Sequence, residues 1–274
     1  MEALIALAFL VVTAGTVPVI CYHEFGGPPE FSGGPQFDVH GLNIPISAFR
    51  QQLEVMEKQG YYPVNMRDLI RGKLSIPKGR RPIVLTFDDG RPTQFRYLEN
   101  GSIDPNCAVG VMVDFHHHHP DWPTRGTFYI IAGSDENGVP FDQEDLERQK
   151  LKQLLDWGFE LGNHTLTHPS FKKLTRRQLL HEISGGDAYL KRLFPSLKVD
   201  TLALPYGDLP ENLNDRNVLV KGRSVGHAYQ NIGVLLVGGG LSHLPGEKGF
   251  DPFRIPRVLP IPGAVEKLLT SAGP

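Results

Sequence analysis

A chain of 274 residues with 40% apolar and 21% charged side chains can bury a substantial core, which excludes a disordered chain and fits the size of one α/β barrel. Its 28 basic and 30 acidic residues nearly cancel, which argues against nucleic acid or another polyanion as partner, since such recognition leans on clustered Lys and Arg. The only cysteines, Cys21 and Cys107, are too few for a disulfide scaffold and lack the paired spacing of a structural zinc site.

Residues 3–12 form an apolar run too short to span a bilayer and long enough for a signal-peptide core, with Val12-Thr13-Ala14 as a small-residue cleavage site. No positive charge precedes the run. Residues 1–14 therefore read as a signal-peptide-like or anchor segment of a secreted, periplasmic or cell-surface protein, and residues 15–274 as a single domain.

Residues 17–22 read as a first buried strand, followed by a Gly/Pro-rich loop over 26–43. Ser47 is the expected N-cap of a helix carrying Phe49, Leu53 and Met56, ended by Gly60. Ile83-Val84-Leu85-Thr86-Phe87 has the continuous apolar pattern of a strand covered on both faces, and it stops at Asp88-Asp89-Gly90. A helix is expected over 108–117, a strand over 126–131, and an amphipathic helix over 142–157 closed by Gly158. A short strand over 159–162 leads into Asn163-His164. Thr175 and Gln178 form a capping-box signature for a helix running to Phe194, with Gly185-Gly186 as an expected irregularity. Strands are expected over 199–204, 232–237 and 255–259, and Gly238-Gly239-Gly240 reads as a flexible loop. Strands alternating with helices predict an α/β fold with a largely parallel sheet.

Chemistry-bearing residues fall at the ends of these strands, where α/β enzymes place catalytic groups. Asp88 and Asp89 repel each other, and a cation on one would relieve the repulsion and leave the other as a base; the alternative is an ordinary Asp-Gly turn. His164 and His168, four positions apart, can reach one ion, and with a carboxylate they make a mixed donor set that leaves coordination positions open. Leu204-Pro205-Tyr206-Gly207 is a turn that can present a backbone N–H to an oxyanion. The run His116–His119 reads as a solvated surface stretch, because adjacent helical histidines point around the axis. Tyr206 and Trp122 are aromatic candidates for stacking on a ligand ring.

Thr86-Phe87-Asp88-Asp89-Gly90, His164-Thr165-Leu166-Thr167-His168 and Leu204-Pro205-Tyr206-Gly207, in this order, resemble the first three motifs of the polysaccharide deacetylases, the NodB-homology family. Similarity continues through Tyr22-His23, Gly126-Thr127-Phe128-Tyr129 and Phe253-Arg254-Ile255-Pro256-Arg257. The resemblance implies a distorted (β/α) barrel of seven or eight strands that hydrolyses N-acetyl groups on an amino-sugar polysaccharide or oligosaccharide such as chitin or peptidoglycan. It also implies a divalent ion, zinc or else cobalt, manganese or nickel, on Asp89, His164 and His168. Asp88 would be the base acting on a metal-activated water, with the backbone of Tyr206 at the oxyanion. An O-acetyl esterase on a xylan-type glycan and a catalytically impaired carbohydrate-binding relative are the alternatives. Membrane contact is expected only through the N-terminal segment.

Two departures from the family pattern stand out. The Arg that opens the third motif and orients the base is replaced by Ala203, for which Arg257, and secondarily Arg254, is the expected substitute. The late Leu-x-Ile-x-His motif, whose His protonates the leaving amine, is absent; His227 and His243 lie downstream of Tyr206 without its context, and His23 is the further candidate.

Overall fold

The computed structural model describes residues 15–26, 42–132 and 139–271. The leader expected over 1–14 and nearly all of the loop expected over 26–43 lie outside the described residues.

Eight strands form one sheet: β1 (Val19–Tyr22), β2 (Tyr61–Val64), β3 (Arg81–Phe87), β4 (Thr127–Ile130), β5 (Glu160–Asn163), β6 (Thr201–Ala203), β7 (Gly233–Gly239) and β8 (Ile255–Arg257). All pairings in it are parallel, in the order β1-β3-β4-β5-β6-β7-β8, with β2 along the first half of β3. The ring closes where Cys21 N–H donates to Val258 O at 2.9 Å and Val258 N–H to Val19 O at 2.7 Å. The parallel α/β sheet expected from the strand pattern and the barrel implied by the resemblance are thus both present, with seven strands in the ring.

Because side chains alternate along a strand, this closed sheet has two cores. Val19, Val84, Tyr129, Ala203, Leu235 and Ile255 pack together inside the barrel. Ile20, Tyr22, Ile83, Leu85, Phe87 and Phe128 face outward under the helices α1 (Ile46–Lys58), α3 (Ala108–His118) and α4 (Glu147–Asp156), while α2 (Met66–Ile70) follows β2. Phe87 and Phe128 stack at 4.5 Å between centroids across β3 and β4. On the far side Leu179 and Ile183 of α5 (Arg176–Leu193) cover Leu202, Leu204 and Val234. Helix α6 (Ala264–Ser271) completes the described chain.

Several local expectations are corrected. Helix α1 starts at Ile46 behind Pro45, whose φ of −57° pre-sets the first turn, so Ser47 lies inside the helix and caps nothing. The helix expected from 142 begins only at Glu147, because Phe141 (φ 65°) and Asp142 (φ 49°) are left-handed and only 3₁₀ turns precede it. Gly185-Gly186 does not interrupt α5. A side chain at 186 would overlap Asn163 Oδ1, and a Cβ at 185 would lie 2.9 Å from Leu166 Cδ2, so these glycines let the helix approach the loop after β5. Strand β7 extends through Gly239 rather than ending in a loose Gly-rich loop; its register against β8 shifts between Leu235 and Gly239, where Gly238, Gly239 and Gly240 are all left-handed.

Strand β2 escapes the pattern because Pro63 sits within it, which its position alongside a single neighbour tolerates. The antiparallel hairpin of Lys221–Ser224 with His227–Gln230 also lacks a signal, since its tip places Val225 rather than Asn or Asp at positive φ. Within the run of histidines, His116 Nδ1 lies 2.7 Å from Trp122 O and His119 stacks on Phe115, so the run is only partly solvated. Trp122 is buried against Phe115 and is no platform for a sugar.

Candidate active site

Five strands deliver functional side chains to one rim, the carboxyl end of the barrel. His23 follows β1, Asp88 and Asp89 follow β3, His164 follows β5, Leu204-Pro205-Tyr206 follows β6, and Arg257 ends β8. Among the described residues, Asp89, His164 and His168 form a group whose donor atoms all lie within 4.8 Å of one another. Asp89 Oδ1 is 3.2 Å from His164 Nε2 and 3.5 Å from His168 Nε2. These separations match the roughly 3.3–3.4 Å edge of a tetrahedron with metal–ligand bonds of about 2.0–2.1 Å.

The donor chemistry fits a cation as well. His164 Nδ1 lies 2.9 Å from Ala203 O, and a carbonyl only accepts, so Nδ1 carries a proton and Nε2, facing Asp89, is the ligand atom. Against its burial, Asp88 and Asp89 raise the His164 pKa without a metal ion. Asp89 Oδ1 is buried and accepts no hydrogen bond. A carboxylate oxygen and a ring nitrogen facing each other in a buried site call for a cation between them, a proton or the metal ion that displaces it. Burial alone would raise the Asp89 carboxyl, but the imidazoles of His164 and His23 and the Arg91 guanidinium hold it well below its usual range. Arg91 Nε binds the outer oxygen, Asp89 Oδ2, at 3.1 Å. Burial and the neighbouring His164 push His168 down to about 4, which keeps its ring neutral and available as a ligand at ordinary pH.

Asp88 is fully buried and held by Arg257, also fully buried, through a two-pronged fork: Nη1 to Oδ1 at 2.7 Å and Nη2 to Oδ2 at 2.6 Å. Arg257 donates further to Thr86 Oγ1 at 3.0 Å and, through Nε, to Leu236 O at 2.6 Å. Thr86 in turn donates to Ile20 O at 2.7 Å. Burial raises the Asp88 carboxyl, yet the charges of Arg257 and His164 outweigh it and leave the group below its ordinary value. Small, buried Ala203 faces the same barrel interior, so the guanidinium enters from β8 rather than from β6. Arg254, the secondary candidate, lies before β8 and is not part of the fork.

His23 Nε2 lies 3.9 Å from Asp88 Oδ2, its side chain 13% exposed, and burial lowers its pKa. The downstream histidines lie elsewhere. His227 Nε2 bonds Asp187 on α5, and His243 pairs with Thr16, which precedes β1 at the opposite end of the barrel. Tyr206 is left-handed (φ 57°) and 64% exposed, its ring 4.8 Å from that of His168.

Sequence reasoning overlooked the residues that hold this rim in place. Gln94 Nε2 donates to His23 O at 2.7 Å and to Asp88 O at 2.5 Å, tying two strand ends together. Glu182 on α5 accepts both Thr167 N–H and Thr167 Oγ1–H at 2.9 Å. Asn163 accepts Thr165 N–H at 2.8 Å and donates to Ile183 O at 2.8 Å. Only the Gly185-Gly186 pair signalled, in the sequence, that something must approach α5 closely. Asp89, Thr165, His168 and Tyr206 are all non-glycine residues at positive φ, a concentration of backbone strain at one rim.

Residues 121–224 match the family model described as polysaccharide deacetylase. That segment, about two fifths of the chain, is similar to the polysaccharide deacetylases. A curated relative in this family, the peptidoglycan-N-acetylglucosamine deacetylase of Bacillus cereus, is 22% identical over 174 residues, covering 62% of this chain and 54% of the relative. The chain thus spans about half the length of that curated relative. Among solved structures, the Streptococcus pyogenes deacetylase PplD in complex with acetate superposes with a TM-score of 0.67 at 20% identity, over 96% of this chain and all of that one. A polysaccharide deacetylase from Bacillus cereus superposes with a TM-score of 0.65 at 20% identity, over 93% of this chain and 68% of that one. At these identities the superpositions establish the deacetylase fold. Among the described residues, no helix is long and apolar enough to cross a membrane.

Proposed function

We propose that the protein is an exported, metal-dependent hydrolase that removes N-acetyl groups from an amino-sugar polysaccharide. The observation that carries this reading is the ionised, forked Asp88 standing beside the cation-ready set of Asp89, His164 and His168. A divalent ion on that set, zinc being the best fit to two imidazoles and a carboxylate, would supply Lewis acidity toward water and the acetyl carbonyl.

The chain's own groups divide the remaining work. Arg257 fixes the plane of the Asp88 carboxylate and keeps it ionised, so that it accepts a proton from the attacking water. His23, beside Asp88 and partly open to solvent, is assigned the role of giving a proton, in its protonated form, to the departing amine nitrogen. The Tyr206 backbone N–H, carried by a strained turn, would be the donor to the developing oxyanion. The exposed Tyr206 ring offers an apolar face to a sugar. The fork also favours catalysis over a binding-only role, because a base lost to evolution would not need a buried partner to keep it charged.

Acetate release from chitin oligomers, peptidoglycan and acetylxylan, measured with metal content, tests the reading. Asp88→Asn is expected to lower turnover by about 10²–10⁴-fold while metal content is kept. His164→Ala is expected to lose the metal. Unchanged turnover in either variant refutes the assignment, and release from acetylxylan alone moves the activity to ester hydrolysis.

A further inference from the structure

Beside the base lies a second set of donor atoms. Cys21 Sγ is 3.7 Å from Asp88 Oδ2, and His23 Nε2 is 3.9 Å from the same oxygen. One donor atom from each of Cys21, His23 and Asp88 lies within 4.8 Å of the other two. The placement is rigid: Cys21 pairs with Thr86 and Tyr22 with Phe87 in the β1–β3 register, and His23 and Asp88 are the next residues on each strand. A tetrahedral ion with bonds of about 2.0–2.3 Å to O, N and S would set its ligands about 3.3–3.8 Å apart, close to the two separations found. His23 Nδ1 is buried without a hydrogen bond, so nothing on that side fixes the ring against serving as a ligand.

We propose that Cys21, His23 and Asp88 form a second, inhibitory site for a thiophilic divalent cation such as zinc or cadmium. Its sulfur distinguishes it from the set of Asp89, His164 and His168, which offers only nitrogen and oxygen. On binding, Cys21 gives its proton to solvent and enters as thiolate. Each carboxylate oxygen has two lone pairs, so Asp88 Oδ2 can hold the ion while still accepting from Arg257. The nearby guanidinium repels a dication, which makes this the weaker site, filled only when metal is in excess. An ion there occupies both Asp88 and His23, so turnover falls. The inhibitory part rests on Asp88 being the base; the binding does not.

The test is a cadmium titration followed by equilibrium dialysis and by the ultraviolet sulfur-to-cadmium charge-transfer band. Wild type and Cys107→Ala are expected to take a second equivalent that brings the band, whereas Cys21→Ala and the near-isosteric Cys21→Ser take only the first, without it. His164→Ala is expected to lose the first equivalent and keep the band. Absence of the band in wild type, or its survival in both Cys21 variants, overturns the site. Inhibition by excess zinc is expected to move to a concentration about tenfold higher or more in Cys21→Ser, since even outer partners of a metal are worth that much. Acetate release that is unaffected while the band forms overturns the inhibitory role. The band without any deacetylase activity would leave the site standing and sink the proposed reaction instead.

Discussion

Replacing Arg257 by Met, which roughly keeps the length of the side chain, removes four hydrogen bonds and strands the Asp88 carboxylate in a site with no solvent exposure. With nitrogen–oxygen contacts of 2.6 and 2.7 Å, the charge centres lie about 4 Å apart, where two unit charges at an effective dielectric of 20 attract by about 4 kcal/mol. Breaking one side of such a buried pair is expected to cost about 3–5 kcal/mol, most of it from the charge left behind. Urea unfolding at neutral pH of wild type, Arg257→Met, Asp88→Asn and the double variant closes a thermodynamic cycle. The double variant is expected to be less destabilised than the sum of the singles, with a coupling of about 2–3 kcal/mol. Arg257→Lys should fall between, because a point charge cannot make both prongs. A coupling below about 0.5 kcal/mol would mean that the fork is geometry without energy, and the account of Asp88 given above would be wrong.

Gly186→Ala, which drives a methyl into Asn163 Oδ1, should destabilise the protein by about 1–3 kcal/mol and lower metal content, while Gly185→Ala, whose nearest contact is Leu166 Cδ2 at 2.9 Å, should do less; equal effects would refute the tethering of the ligand loop to α5. Lys150 is fully buried, donates to Phe141 O at 2.7 Å, and burial holds its pKa at about 7. Between about pH 7 and the unfolded value near 10.4 the unfolded chain binds more protons, so wild type should gain stability over Lys150→Met as pH rises through that window, by less than about 1.4 kcal/mol per unit; parallel stability curves would refute it. Adding divalent metal to chelator-stripped protein at about 100 times its Kd should stabilise wild type by about 2.7 kcal/mol and leave His164→Ala unmoved, as read by thermal unfolding; a matching gain in the variant would place the ion elsewhere.

The parallel α/β alternation and the strand-end groups are legible in the sequence for a local reason. A buried run such as Ile83–Phe87 and the acids that end it are neighbours in the chain, and strand-end placement is a property of the fold class. The pairing of Arg257 with Asp88 spans 169 positions and has no local signature; only the small residue at 203 raises the question it answers. Nor can a sequence display the Ala203 carbonyl that sets the His164 tautomer, because every residue carries one. Gln94, in a turn, and Glu182, on a helix, look like ordinary surface polar residues until the fold turns them inward. The start of α4 and the hairpin tip fail for the opposite reason: Phe141, Asp142 and Val225 adopt left-handed conformations that their side chains disfavour, so local preference points the wrong way.

The closure of the ring between Cys21 and Val258 also has a temporal side. Arg257 sits on the last strand, beside the residues that seal β8 to β1, so during synthesis the Asp88 carboxylate is made long before its counter-charge. A nascent chain that has reached β7 has every proposed ligand and the proposed base, but no reason to bury Asp88 as an anion. Assembly of the proposed reaction centre and sealing of the barrel are therefore one event, and turnover would report completed folding rather than the mere presence of the motif residues.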